Sequence, residues 1–283
     1  MPKPTRGSRQ TRPIETRRWL DGDDGLNYLR ATYDVHRFSY HCHDHFVIAT
    51  NLSGVSACFS GPDRQLTFGP GEIAVIMPGE KHGGRRATGA PWVYRAVYPS
   101  IQMLRRLEID LTGRPSKGPS FRHKVYSDPE LARDFLIAHG ASCGGDDALH
   151  SESLMVEVLG RLLKRYGTSS VRAEVPSDAA RLSRGVDLLE SSLAGSVSLQ
   201  ELADASGYSR FHFLRLFKRK YGETPHAYLT RRRVEHAQEL LRRGLPIASV
   251  ACDTGFFDQA HLTRRFKQIV GVTPGEFVHG VSS

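Results

Sequence analysis

The feature that most constrains this chain is a repeat in its C-terminal third. Leu202-Ala203-x-x-x-Gly207-Tyr208 recurs 48 residues later as Val250-Ala251-x-x-x-Gly255-Phe256. Phe213-Leu214-Arg215-Leu216-Phe217-Lys218 recurs 49 residues later as Leu262-Thr263-Arg264-Arg265-Phe266-Lys267. At the same offset Gly222-x-Thr224-Pro225 returns as Gly271-x-Thr273-Pro274. Self-similarity this long means one small structural unit built twice.

Each unit has the pattern of two short helices around a sharp turn. Ser198-Leu199-Gln200-Glu201 has capping-box spacing, with Leu199, Leu202 and Ala203 as the inward stripe. Gly207 supplies the positive φ that a tight helix-helix turn demands, and Ser209 can cap the next helix. There Phe213, Leu216 and Phe217 are expected to point inward. Arg210, Phe211, Leu214, Arg215 and Lys218, at spacings of three and four, are expected to share the outer face. In the second unit Pro246 opens the first helix, Gly255 turns, and Leu262 and Phe266 point inward. Gln259, Ala260, Thr263, Arg264 and Lys267 then face out. Cations can meet phosphates or guanine edges and apolar groups can meet thymine methyls, so both outer faces suit a major groove. Pro225 to Arg242 reads as one uninterrupted helix. At 1.5 Å per residue it spans about 27 Å, on the scale that separates successive major grooves.

Charge agrees with a polyanionic partner. The net +9 of this 283-residue chain is concentrated at its ends: +5 over residues 1–18, zero over 19–176 and +4 over 177–283. No apolar run is long enough for a membrane span. Four scattered cysteines without a C-x-x-C pair suggest reduced thiols in the cytoplasm.

The rest of the chain reads differently. Residues 1–18 are Pro, Arg, Thr and Ser with little that is apolar, which predicts a basic flexible arm. From Tyr28 to Tyr98, short strand-like runs such as Phe46-Val47-Ile48-Ala49 and Trp92-Val93-Tyr94-Arg95-Ala96-Val97-Tyr98 alternate with turn signals at Gly54, Gly61-Pro62, Gly69-Pro70-Gly71 and Pro78-Gly79. That spacing predicts an antiparallel barrel or sandwich. Ser127-Asp128-Pro129-Glu130 has capping-box spacing and opens a helical pattern. Between Asp147 and Tyr166, a helical stripe of Met155, Val158, Leu159, Leu162, Leu163 and Tyr166 can pack on its own barrel or on a second copy. The expected architecture is α+β multidomain. It comprises the arm 1–18, a β-barrel with following helices over 19–168, a linker at 169–177, and an all-α domain at 178–280 with two helix-turn-helix units joined by a long helix.

Residues 178–278 resemble the paired helix-turn-helix domain of the AraC/XylS family of bacterial transcription regulators. Leu202-Ala203, Gly207-Tyr208, Phe213-x-Arg215-x-Phe217-Lys218 and Gly222-x-Thr224-Pro225 carry the likeness in the first half. Ile247-Ala248-x-Val250-Ala251, Gly255-Phe256, Leu262-x-Arg264-x-Phe266-Lys267 and Thr273-Pro274 carry it in the second. The family often has Tyr-Arg after the final Thr-Pro, where this chain has Phe277-Val278. Residues 28–98 resemble the cupin-like sensory barrel of such regulators, through His41-x-His43-Asp44-His45, Gly69-Pro70-Gly71-Glu72 and Pro78-Gly79-Glu80-x-His82.

The resemblance implies a sequence-specific regulator that binds double-stranded promoter DNA, senses a small-molecule effector, contacts RNA polymerase and works as a homodimer, with no catalytic residues. The effector pocket is expected to use Arg37, His41, His43, His45, His82, Tyr94 and Arg95. For a metal, His41, His43 and His82 are the candidates. However, metal-binding cupins usually add a glutamate beyond the His pair, and Val47 to Thr50 offer no carboxylate, so no cofactor is expected. The alternative, a cupin-type metal-dependent enzyme with an appended DNA-binding domain, is disfavoured on the same ground. A DNA-repair alkyltransferase is disfavoured because Cys42 lacks the Pro-Cys context.

Overall fold

The structure, a computed structural model, describes residues 15–21, 26–33, 37–59, 65–143, 148–169 and 179–281. Most of the basic arm and of the linker, and the Gly61-Pro62 turn, lie outside these residues. Residues 15–18, grouped with the arm on composition, belong instead to a strand. The chain divides into two compact units. One comprises residues 1–140 and 158–171, the other residues 141–157 and 172–283.

The first unit is built on two antiparallel sheets. Its strands are β1 (Glu15–Asp21), β2 (Leu26–Tyr33), β3 (Arg37–His41), β4 (Val47–Ser53), β5 (Ser56–Phe59), β6 (Gln65–Phe68), β7 (Glu72–Ile76), β8 (His82–Arg86), β9 (Trp92–Tyr98) and β10 (Val125–Ser127). They pair as β1-β2-β9-β4-β7-β10 and β3-β8-β5-β6. The central strands follow from their residues. Val47-Ile48-Ala49-Thr50-Asn51 is buried throughout, as expected of a strand covered on both faces. Inside, Leu29, Ala31, Tyr33, Val47, Ala49, Trp92, Tyr94 and Ala96 form one apolar cluster, with Phe38 of the smaller sheet packed against it. Asn51 locks the two sheets. Its amide donates to the Phe68 carbonyl at 2.8 Å and to Ser56 Oγ at 3.0 Å, and its oxygen accepts from the Trp92 indole at 3.1 Å.

Three helices follow: α1 (Ile101–Thr112), α2 (Pro129–Ala141) and α3 (Ala148–Tyr166). α2 is capped by Asp128, whose carboxylate accepts from Leu131 N at 3.0 Å. The cap thus falls one residue after the Ser127 expected from the capping-box spacing, because Pro129 takes the first helical position. On the far face of β2, Tyr28 meets His139 of α2 edge-on at 5.3 Å. Arg165 of α3 reaches Asp128 at 2.6 Å and Glu130 at 2.8 Å. Met155, Val158, Leu159, Leu162 and Leu163 are buried within this one chain, and Tyr166, the last residue of the stripe, is half-buried. Of the two partners open to that stripe, the chain itself therefore covers it.

The second unit is helical: α4 (Ala179–Ser191), α5 (Leu199–Ser206), α6 (Arg210–Tyr221), α7 (Pro225–Arg242), α8 (Ile247–Asp253), α9 (Gln259–Val270) and α10 (Pro274–Val281). It also includes the first half of α3, where the buried Glu152 accepts from Leu199 N at 3.1 Å. The 18-residue α7 runs unbroken, as its pattern predicted. No helix of the described residues is long and apolar enough to cross a membrane.

Candidate DNA interface and sensor cavity

The two helix-turn-helix units are shaped by the residues that repeat. Ser198 and Glu201 form a reciprocal capping box on α5. Gly207 ends that helix at φ 62° and Gly255 makes the equivalent turn at φ 75°, a region that costs a side-chain-bearing residue strain. Ser209 and Asp258 then cap α6 and α9, accepting from His212 N and His261 N. Phe213, Leu216, Phe217, Leu262 and Phe266 are buried, as their spacing required. Phe277 and Val278, the family departure, pack against the core of the second unit, with Phe277 edge-on to Phe266 at 5.4 Å.

The outer faces differ from expectation at particular places. On α9, Gln259, Ala260, Arg264 and Lys267 are exposed and Thr263 is half-buried, its hydroxyl donating to the Gln259 carbonyl at 2.8 Å. On α6, Arg210, Phe211 and Arg215 are half-buried and Lys218 is exposed, but Leu214 is only 3% exposed. Leu214 therefore belongs to the inward face. It lies beside Phe213, so the inner stripe is one residue wider than the spacing of the aromatic residues suggests. Lys218 is held by Glu157 of α3 at 2.8 Å. Arg219, exposed on α6, was not singled out in the sequence, and the run Lys218-Arg219-Lys220 in the last turn was its signal. Positive potential gathers around α6. His212 is pushed down to about 4, by burial first and then by the nearby Arg215, Arg181 and Arg219.

The connecting helix carries Arg231, Arg232 and Arg233, whose charges are engaged inside the fold. Arg231 pairs with Glu223 at 2.9 Å and Glu235 at 2.7 Å, and Arg232 pairs with Glu190 at 3.0 Å and Glu235 at 2.7 Å. Arg233 is buried and donates to the carbonyls of Leu193, at 2.7 Å, and Gly195, at 2.5 Å. These arginines brace α7 against α4 and the loop that follows it.

In the other unit a cavity of about 100 Å³ lies between the two sheets. A water needs about 10–15 Å³ by this measure, so a small organic molecule fits. Leu29, Val47, Ala49, Trp92, Tyr94 and Tyr98 line it from the larger sheet, and Phe38, Cys58, His82, Gly83 and Gly84 from the smaller. Trp92 and Tyr94 stack at 4.8 Å. Of the polar wall expected from sequence, His41, His43, His82 and Tyr94 line the cavity. His45 and Arg37 are exposed and do not: His45 lies past the end of β3, and Arg37 opens that strand ahead of a register irregularity between Phe38 and His41 that breaks the alternation. Arg95 lies on the opposite face of β9, near enough to His139 for its charge to lower that imidazole's pKa. Phe38, Trp92 and Tyr98 line the cavity without being among the expected residues, although each sits two or three residues along a strand from one of them, His41, Tyr94 and Arg95 respectively.

The histidines form one cluster. His41 and His82 are register partners on β3 and β8, with ring centroids 4.5 Å apart. His43 lies 4.8 Å from His41 and 5.1 Å from His82. His82 is pushed down to about 4, by burial first and then by His41, so it is neutral at pH 7.

Two helix-turn-helix units with cationic outer faces, in a chain that also folds a ligand-sized cavity between β-sheets, define a class: the ligand-binding transcription regulator. Residues 25–163 match the AraC-like ligand binding domain and residues 202–279 match a helix-turn-helix domain. The multiple antibiotic resistance protein MarA of Salmonella typhimurium is 34% identical over 111 residues, covering 38% of this chain and 87% of MarA. The uncharacterized HTH-type transcriptional regulator YbfI of Bacillus subtilis is 28% identical over 230 residues, 81% of this chain and 82% of YbfI. The arabinose operon regulatory protein of Escherichia coli is 25% identical over 220 residues, 77% of this chain and 75% of that protein. The chain belongs to the AraC family of transcription regulators: an N-terminal ligand-binding domain joined to a C-terminal DNA-binding pair of helix-turn-helix units.

Proposed function

We propose that this regulator binds a bipartite promoter site with α6 and α9 in successive major grooves, and that a small molecule in the β-sheet cavity alters that binding. The observation that carries the reading is the duplication. Two capped recognition helices, each behind a positive-φ glycine turn, present Arg215 and Lys218 on one and Arg264 and Lys267 on the other. Arg215 and Arg264 are the residues we assign to base or close phosphate contacts. Arg210, Gln259, Ala260 and Thr263 border them. Phe211 is the remaining apolar group for a thymine methyl. RNA polymerase is the proposed partner at the promoter and the cytoplasm the proposed site of action. The active form proposed is a homodimer, since two linked DNA-binding domains gain avidity on paired sites. With the α3 stripe buried in its own chain, the dimer interface lies elsewhere. We assign the protein no reaction.

Footprinting on the promoter of the adjoining gene tests the reading. Protection of two half-sites about one helical turn apart is expected. Arg264→Ala should weaken one half-site by about 1–3 kcal/mol if its contact is to a base. Protection of a single half-site that Arg264→Ala leaves intact would overturn the assignment.

A further inference from the structure

We propose that His41, His43 and His82 hold a divalent transition-metal ion of the zinc class, and that the sensed molecule completes its coordination from the aromatic side of the cavity. The inference rests on the sensory reading above and adds to it the chemistry of recognition.

Three observations carry it. The first is convergence: one ligating nitrogen from each ring lies within 4.8 Å of the other two. On a tetrahedral ion with bonds of about 2.0–2.1 Å, such nitrogens sit about 3.3 Å apart, so the rings need to close by at most about 1.5 Å. His41 and His43 are half-buried, at the end of β3 and in the loop after it, where side chains can make that adjustment. The second is orientation. His41 Nδ1 lies 2.7 Å from the Ser39 carbonyl, and His82 Nδ1 lies 3.0 Å from the Glu80 carbonyl. A carbonyl only accepts, so in each ring Nδ1 carries the proton and Nε2 keeps its lone pair. Tethering one imidazole nitrogen to a carbonyl in this way fixes the tautomer and aim of a metal-binding histidine.

The third observation is the composition of the wall. Three imidazoles suit zinc, nickel, copper or iron, and three protein ligands leave a zinc-class ion a position for a further donor. With no carboxylate in the set, a dication keeps its full double charge. The group drawn to the open position is therefore an anionic oxygen donor. Beyond the histidines the cavity is lined by Phe38, Trp92, Tyr94 and Tyr98. The ligand class is accordingly a small organic anion with a flat apolar body.

The test uses the full-length protein stripped with EDTA and titrated with Zn²⁺ by calorimetry and with Co²⁺ by visible absorption. One ion per chain is expected, with the intense absorption of four-coordinate cobalt. His43→Ala and His82→Ala should each weaken binding at least 100-fold, and His45→Ala, outside the cluster, should leave it unchanged. The half-buried His43 guards against the chance that replacing the buried His82 only unfolds the barrel. Benzohydroxamate should then perturb the cobalt spectrum and bind at least about tenfold tighter than acetohydroxamate, the phenyl group entering the aromatic wall. Neither should bind the EDTA-treated protein. Failure to bind either metal at micromolar concentration, or binding that survives both His43→Ala and His82→Ala, overturns the metal site while leaving sensing and DNA binding intact. Metal binding with a cobalt spectrum that neither hydroxamate perturbs overturns the coordination of the sensed ligand.

Discussion

Single side chains decide which face of α6 meets solvent. Leu214 reads as an outer residue when only the aromatic residues and cations are counted, yet it lies with the core. Leu214→Ala should therefore lower stability by about 2–5 kcal/mol, the cost of a core cavity, readable as a reduced denaturant midpoint. Unchanged stability with weakened DNA binding would return Leu214 to the outer face. His139 offers a second residue-scale prediction. Burial holds it at about 4, helped by the charge of Arg95, against 6.5 for the free side chain. A folded-state pKa below the unfolded one means that its contribution is complete above pH 6.5 and is lost as pH falls toward 4, with about 3 kcal/mol at stake. His139→Gln can keep the donor to the Leu29 carbonyl without the titration. It should flatten the pH dependence of stability across that window, as measured by denaturant melts at successive pH values.

Elements were legible in the sequence wherever one period ruled them. The duplicated helices, their glycine turns and the caps of the first unit follow from spacing alone, as does the unbroken α7. Legibility fails where the chain leaves a regular element. His45 falls outside the cavity because β3 ends at His41, four residues before it, and Ser127 is not the cap because Pro129 takes the first helical position. Glu235 stands at i+4 from Arg231 and i+3 from Arg232, a spacing that local patterning reveals, but Glu190, Glu223 and the two carbonyls that hold Arg233 are partners it does not. Strand β8 shows what side-chain absence does for an element. A Cβ on Gly84 would meet its nearest neighbour at 3.6 Å, an ordinary contact with Trp92, whereas one on Gly83 would meet the Phe38 carbonyl oxygen at 2.9 Å. Gly84→Ala should fold with a smaller cavity and weakened ligand binding. Gly83→Ala should be the less stable of the two by thermal melting, because strand backbone must move. Equal melting temperatures would contradict this account of β8.

At the scale of the whole molecule, DNA affinity should fall steeply with salt. Each phosphate neutralised contributes about −0.9 to the log–log slope, so Arg215, Arg264 and Lys267 predict a slope of about −2.7, or about −3.6 if DNA displaces Glu157 from Lys218. The arginines of α7 add nothing to that figure, since Arg231 and Arg232 are ion-paired and Arg233 is buried on carbonyls. Fluorescence anisotropy across a salt series measures it. A slope steeper than about −6 would mean that α7, or the basic N-terminal arm, joins the interface.

The two halves of the duplication are anchored unequally at their first helices. α5 has the reciprocal box of Ser198 and Glu201 and a further carboxylate from Glu152 on Leu199 N. α8 is seven residues long, its N-cap is Pro246, and no side chain caps it. A short helix with unsatisfied first-turn amides is the segment that opens most readily. In deuterated buffer the amides of α8 should exchange well before those of α5, and operator DNA should slow α8 more than α5. The two half-sites would then be engaged in order, a preformed reader first and a reader that is ordered on arrival second, with the second carrying more of the heat-capacity change of binding.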